Sequence, residues 1–198
     1  MVSNQKTAIR RLLRAQRREL APTVVHAAGT AVHLQLGMLP LYRDAARIII
    51  AYLPEENEIP TARIITESCN LGREVYLPRT APVACFVRWR IGGQLVRGRS
   101  GMMEPCGGSQ LPNNLSAVAF IPVVGWDETG MRLGRGGGYY DRILTHQNGG
   151  ILRVGLAYEF QRCPEIPRDP WDVPLDYIIT EQRVIRCGDR AEVQPEWL

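Results

Sequence analysis

Within ten residues, Arg132, Leu133 and Arg135 are interleaved with Gly134, Gly136, Gly137 and Gly138, and the run closes on Tyr139, Tyr140 and Asp141. Glycines let a backbone take positive φ and bring N–H groups close to an anion. The two arginines add full charge, and Asp141 adds a carboxylate suited to Mg²⁺. An apolar run precedes the loop and a helical pattern follows it, so unpaired N–H donors at a helix start would join the same site. This chemistry suits a nucleotide polyphosphate, and the first expectation is an enzyme that uses ATP. No Gly-Lys-Ser/Thr follows, which excludes a Walker A loop. Tyr139 occupies the third glycine position of a dinucleotide fingerprint, which excludes that motif too.

Other residues could share the work. Lys6 and Arg10 lie one helical turn apart, with Arg14 and Arg17 continuing the flank. Taken alone they read as a solvated basic face, the commoner fate of such residues. With a phosphate loop elsewhere they read as a clamp on distal phosphates, Arg10 in bidentate fashion. Glu55, Glu56 and Glu58 follow an apolar strand. Glu55 and Glu56 read as loop acids, whereas for Glu58 the pattern leaves open a contact to a donor-rich heterocycle. Asp141, Asp172 and Asp176 are the metal candidates, and Asp141 with Asp172 would serve Mg²⁺ if their loops converge. His26, His33 and His146 have no ligand spacing and no serine or cysteine partner, so they read as structural.

The elements that must position these groups alternate along the chain. Residues 3 to 20 read as an amphipathic helix capped by Ser3, with Ile9, Leu12, Leu13 and Leu20 on its apolar side. A second helix starts at Pro22 and runs to Met38. Arg47 to Leu53 is an apolar run of strand length, as expected where both sheet faces are covered. A helix from Ile59 to Leu71 stops at Gly72, and residues 74–78 form a strand. Residues 84–90 and 94–97 read as a hairpin around Gly92-Gly93, and 98–116 as loop. Strands at 117–122, 153–157 and 177–180 and a helix at 139–145 complete the pattern. The alternation predicts an α/β fold, a three-layer α/β/α sandwich with a mostly parallel central sheet, in one domain spanning 1–198. The ligand should sit beyond the carboxyl ends of the strands, where Leu53 and Pro122 lie.

Composition sets outer limits. The chain has 198 residues, 45% hydrophobic and 22% charged, enough for a substantial core. Its net charge of +4 is concentrated near the N-terminus, which calls for an anionic partner. Five scattered cysteines without a Cys-x-x-Cys imply reduced thiols in a cytoplasmic protein. No apolar run approaches the roughly 20 residues that span a bilayer, so no membrane partner is expected.

On several ordered segments the chain resembles the 5-formyltetrahydrofolate cyclo-ligase (5,10-methenyltetrahydrofolate synthetase) family. These are Lys6 with Arg10, Leu53 to Glu58 with Thr61, residues 72–79, Glu104-Pro105, the block from Ile121 to Arg142, residues 154–157, Gln161, Pro167 and residues 172–180. The resemblance implies a fold similar to ribose-phosphate isomerases and CoA transferases. It implies ATP as co-substrate, Mg²⁺ as cofactor, and conversion of 5-formyltetrahydrofolate, with or without a polyglutamate tail, to 5,10-methenyltetrahydrofolate. By matching position, Lys6, Arg10 and residues Arg132 to Tyr140 would bind ATP, and Arg135 through Tyr139 would also face the folate. Leu53 and Glu58 would contact the pterin, Asp141 and Asp172 would hold Mg²⁺, and Lys6, Arg135 and Tyr139 would act at the reacting groups. Ser100 stands where many relatives carry an aromatic, and residues 82–101 match loosely. A monomer is expected.

Two other readings are open. One is a paralogue that keeps the ATP loop but acts on a thiamine-related metabolite. The other is a non-enzymatic nucleic-acid-binding protein using the N-terminal arginines, against which stands the lack of an aromatic-studded basic sheet motif.

Overall fold

In the computed structural model the described residues are 2–43, 48–80, 83–98, 101–112, 115–145 and 150–187. The helices are α1 (Val2–Arg18), α2 (Pro22–Gly37), α3 (Pro40–Arg43), α4 (Ala62–Asn70) and α5 (Tyr139–Thr145). The strands are β1 (Ile48–Ile50), β2 (Glu74–Arg79), β3 (Cys85–Trp89), β4 (Leu95–Arg97), β5 (Met103–Pro105), β6 (Ala117–Pro122), β7 (Gly125–Trp126), β8 (Arg132–Leu133), β9 (Ile151–Leu156), β10 (Tyr177–Ile179) and β11 (Val184–Arg186).

Seven strands form the central sheet in the order β11-β10-β9-β6-β1-β2-β3. The pairings β2-β1-β6-β9-β10 are parallel, and the edge strands β3 and β11 are antiparallel. Both faces are covered, so successive side chains of one strand feed two cores. Ile49, Val75, Val118, Phe120 and Ile179 pack against α2 and α4 through Val32, Leu36, Ile64 and Ile65. Ile50, Tyr76, Ala119, Ile121 and Ile178 pack the other way, against Ile143 and Leu144 of α5, Phe86 and Trp126. This is the expected sandwich with a mostly parallel sheet, although its second helical layer is thin.

Several local expectations are corrected. β1 ends at Ile50; Ala51 still donates to the Tyr76 carbonyl, and Tyr52 and Leu53 beyond it line the cavity. The Gly92-Gly93 hairpin does not form: β3 pairs with β2, and β4 pairs with β5, a strand inside the stretch read as loop. The ribbon β7–β8 was not anticipated; it lies between β6 and the glycine loop. β11 was also missed. Helix α1 already includes Ser3. His146 and Ser100 lie outside the described residues.

Helix α1 carries the largest correction. Leu12, assigned to its apolar side, is 60% exposed. The side that docks carries Leu13, which joins Val124, Met131, Leu133, Cys163 and Ile166, together with the buried Lys6 and Arg17. Lys6 and Arg17 therefore point inward, whereas Arg11 and Arg18 stay exposed. The five cysteines are free thiols. Among the described residues no helix is long and apolar enough to cross a membrane.

Candidate functional site

Chain direction reverses its course across the sheet between β1 and β6. From β1 the chain moves outward to β2, whereas β6 leads to β9 and β10 on the opposite side. Ligands of open α/β sheets sit at such switch points, beyond the carboxyl ends of the strands. A cavity of about 580 Å³ opens there. Lys6, Arg10, Leu53, Glu58, every residue from Arg132 to Asp141, and Asp172 all line it. Residues from α1, the β1 exit, the glycine loop and the loop before β10 thus converge on one space. Its size falls within the range of small-molecule sites.

The glycine loop leaves β8 and enters α5. Gly136 and Gly138 have φ of 105° and 60°, conformations that side chains disfavour. The loop is held by its own arginines. Arg132, buried, donates to Asp141 Oδ1 at 2.7 Å and to the Val173 carbonyl. Arg135 pairs with Glu55 and lies 3.2 Å from Glu56. Arg10 Nε donates to the Gly134 carbonyl at 2.8 Å.

The loop after β1 presents Glu58. Glu56 and Asn57 sit at φ of 48° and 58°, unusual for residues other than glycine. The turn they make is tied to α1: Asn57 Nδ2 donates to the carbonyls of Arg17, Arg18 and Leu20, and Arg17 Nε donates to Glu56 O. Tyr52 Oη donates to Ile59 O and Thr61 Oγ1 to Tyr52 O, closing the loop on itself. Glu58 is 5% exposed and accepts from Arg17 Nη2 at 3.3 Å and from the Glu55 N–H at 3.0 Å. Burial pushes the Glu58 carboxyl up, despite the opposing pull of Arg17 and the Glu55 amide. Tyr140 lies near it; burial and the Glu58 charge push this phenol up, so it stays protonated. The Tyr140 hydroxyl is buried without a hydrogen-bond partner.

The metal candidates separate. Asp141 and Asp172 line the cavity, with side chains 24% and 15% exposed. Each meets a cation of the chain, Asp141 through Arg132 and Asp172 through Lys6 Nζ at 2.5 Å. Asp176 is drawn elsewhere, into a two-point pair with Arg153. No group of three or more metal-ligating side chains occurs among the described residues.

Sequence reasoning missed several lining residues. Asp169 is the foremost: its Oδ2 lies 2.7 Å from Lys6 Nζ. The spacing Asp169-x-x-Asp172 was the available signal. Trp171, 68% exposed, stands between them. Met102, Met103 and Glu104 line the cavity because β4–β5 folds over the end of β2, a consequence of the unpredicted pairing. Glu55 and Glu56, read as plain loop acids, instead anchor Arg135. Arg14, Arg17 and Arg18 also reach Glu56. The arginines on which a nucleic-acid-binding reading rests are therefore engaged largely within the protein.

Comparison with known proteins gives one answer. The sequence profile of the 5-formyltetrahydrofolate cyclo-ligase family matches residues 2–181. A 5-formyltetrahydrofolate cyclo-ligase of Haemophilus influenzae is 33% identical over 182 residues, covering 88% of this chain and 97% of that one. One from Escherichia coli is 30% identical over 180 residues, with 87% and 98% covered. A solved Aquifex aeolicus 5,10-methenyltetrahydrofolate synthetase superposes with a TM-score of 0.80 at 31% identity, over 93% of each chain. A Mycoplasma pneumoniae synthetase shares the fold, with a TM-score of 0.70 at 23% identity over 89% of this chain and 98% of that one.

Proposed function

The chain belongs to the 5-formyltetrahydrofolate cyclo-ligase family, and we propose on that premise that it closes 5-formyltetrahydrofolate to 5,10-methenyltetrahydrofolate at the expense of ATP. The formyl oxygen attacks the γ-phosphorus and ADP leaves. The phosphorylated, iminium-like carbon then accepts the N10 lone pair, N10 loses its proton, and inorganic phosphate departs. An amide-like oxygen is a poor leaving group until it is phosphorylated. The protein's task is to align the two reactants and to answer charge developing on the phosphoryl group.

The observation that carries this reading is the convergence of Lys6, Arg10, the glycine loop, Glu58, Asp141 and Asp172 on one cavity. Lys6, Arg10, Arg132 and Arg135 would take the phosphates, Lys6 and Arg135 being nearest the transferred group by their place in the family pattern. Tyr139, beside the loop, would face both reactants. Glu58 would accept the pterin N–H donors, and Leu53 would pack on the ring. Asp141 and Asp172 fit Mg²⁺ by their chemistry: both are oxygen donors, partly exposed, on one cavity. The ion, when bound, would screen phosphate oxygens. A cytoplasmic, folate-handling monomer is the corresponding setting.

The test is direct. Purified protein is mixed with 5-formyltetrahydrofolate, ATP and Mg²⁺, and methenyl product is followed by its near-ultraviolet absorbance. ATP-dependent product is expected; its absence from protein that binds ATP would overturn the reading.

A further inference from the structure

The cations that line the cavity are each answered by oxygens of the chain itself. Lys6 meets Asp169 and Asp172, Arg10 meets the Gly134 carbonyl, Arg132 meets Asp141, and Arg135 meets Glu55. Two of these partners, Asp141 and Asp172, are the carboxylates that fit a divalent cation.

Lys6 is held between two carboxylates. Its side chain is 6% exposed, and its ammonium lies 2.7 Å from Asp169 Oδ2 and 2.5 Å from Asp172 Oδ2. A compact ammonium wedged between two carboxylate oxygens fills the coordination space a divalent ion would need. The same Asp172 Oδ2 that meets Lys6 also accepts the Asp169 N–H at 2.8 Å, so little of that oxygen's capacity is left. Lys6 faces Asp169 and Asp172, and Arg132 faces Asp141. A divalent ion arriving alone would compete with the cations already seated on these carboxylates, whereas one arriving with phosphates would bring those cations a new partner.

We propose that Lys6 keeps the divalent ion's place. Asp172 turns to the metal only as a polyphosphate draws the Lys6 ammonium away, so metal and nucleotide enter as a pair. Asp169 is the positioning residue that retains Lys6 at the cavity wall. The inference rests on the nucleotide reading of the cavity. By linkage, whatever the nucleotide does for metal affinity the metal does for nucleotide affinity.

Mn²⁺, counted as free ion by its paramagnetic resonance signal, probes this on the full chain. Without nucleotide, Lys6→Met is expected to bind Mn²⁺ about tenfold more tightly than the parent protein, and Lys6→Met/Asp172→Asn to lose that gain. With a non-hydrolysable ATP analogue, Mn²⁺ affinity should rise in the parent protein and rise less in Lys6→Met. Equal Mn²⁺ affinity of parent and Lys6→Met without nucleotide overturns the proposal, as does a gain that survives Asp172→Asn. Circular dichroism checks folding, and Lys6→Gln, which keeps a donor toward both aspartates, replaces Lys6→Met if that variant does not fold. A Lys6→Met gain in a protein that takes up no nucleotide supports the place-keeping role and overturns the nucleotide reading instead.

Discussion

Arg14 grips Glu56 at two points, Nε to Oε2 at 2.9 Å and Nη2 to Oε1 at 2.8 Å. The same carboxylate also receives Arg18, Arg17 and Arg135. One side chain thus ties α1 to the glycine loop.

That relationship sets an acid limit on stability. Arg14 and its neighbours hold the Glu56 carboxyl down at about 2, against an ordinary 4.5. A depressed carboxylate contributes stability that is full above pH 4.5 and lost as pH falls toward 2. Urea unfolding at a series of pH values should show the parent protein losing roughly 2 kcal/mol across that window beyond any loss in Glu56→Gln. Parallel curves for the two proteins would remove Glu56 from the anchor.

Glu58 has the opposite sign. Its raised folded-state value means that stability from this group is present at low pH and lost as pH rises through that value. Glu58→Gln should raise the folate KM about tenfold, leave ATP affinity unchanged, and change stability at neutral pH by less than about 1 kcal/mol. An unchanged folate KM would make Glu58 a bystander.

Asn57 holds a left-handed backbone and offers one amide to three carbonyls at the end of α1. Asn57→Ala should cost about 2 kcal/mol, since it loses both the local preference and the cap. Asn57→Gly restores only the backbone freedom and should cost about 1 kcal/mol. Chemical unfolding of the three proteins would rank them, and equal costs for Ala and Gly would contradict the backbone argument.

Asp141→Asn should lower turnover about a hundredfold. The fold should survive, because the amide oxygen can still accept from Val173 N–H and Arg132. Wild-type turnover in a variant with native circular dichroism would take Asp141 out of the site.

Much of this was legible because strands covered on both faces must be apolar throughout. Residues 47–53 and 117–122 read as strands for that reason, and the glycine loop announced itself by composition. The Gly92-Gly93 pair misled because it resembles a hairpin turn, while the true partner of β3 was the earlier strand β2. The two-residue strands β7 and β8 are too short to show any period. The inward charge of α1 was hidden for another reason. Lys6, Ile9, Arg10, Leu13 and Arg17 share one helical face, and pattern alone assigns such a face by its leucines. The residues that reverse the assignment, Glu56, Glu58, Asp169 and Asp172, lie far along the chain. Asp169 was overlooked because the spacing Asp169-x-x-Asp172 is a weak mark by itself; only the fold brings it to Lys6.

The meeting of position 6 with positions 169 and 172 has a bearing on biogenesis. A ribosome must release residues 169 and 172 before Lys6 can meet its partners, so this wall of the cavity cannot form while that stretch is still being synthesised. A bulky fusion that frays the opening turn of α1 would abolish binding while leaving the sheet sound.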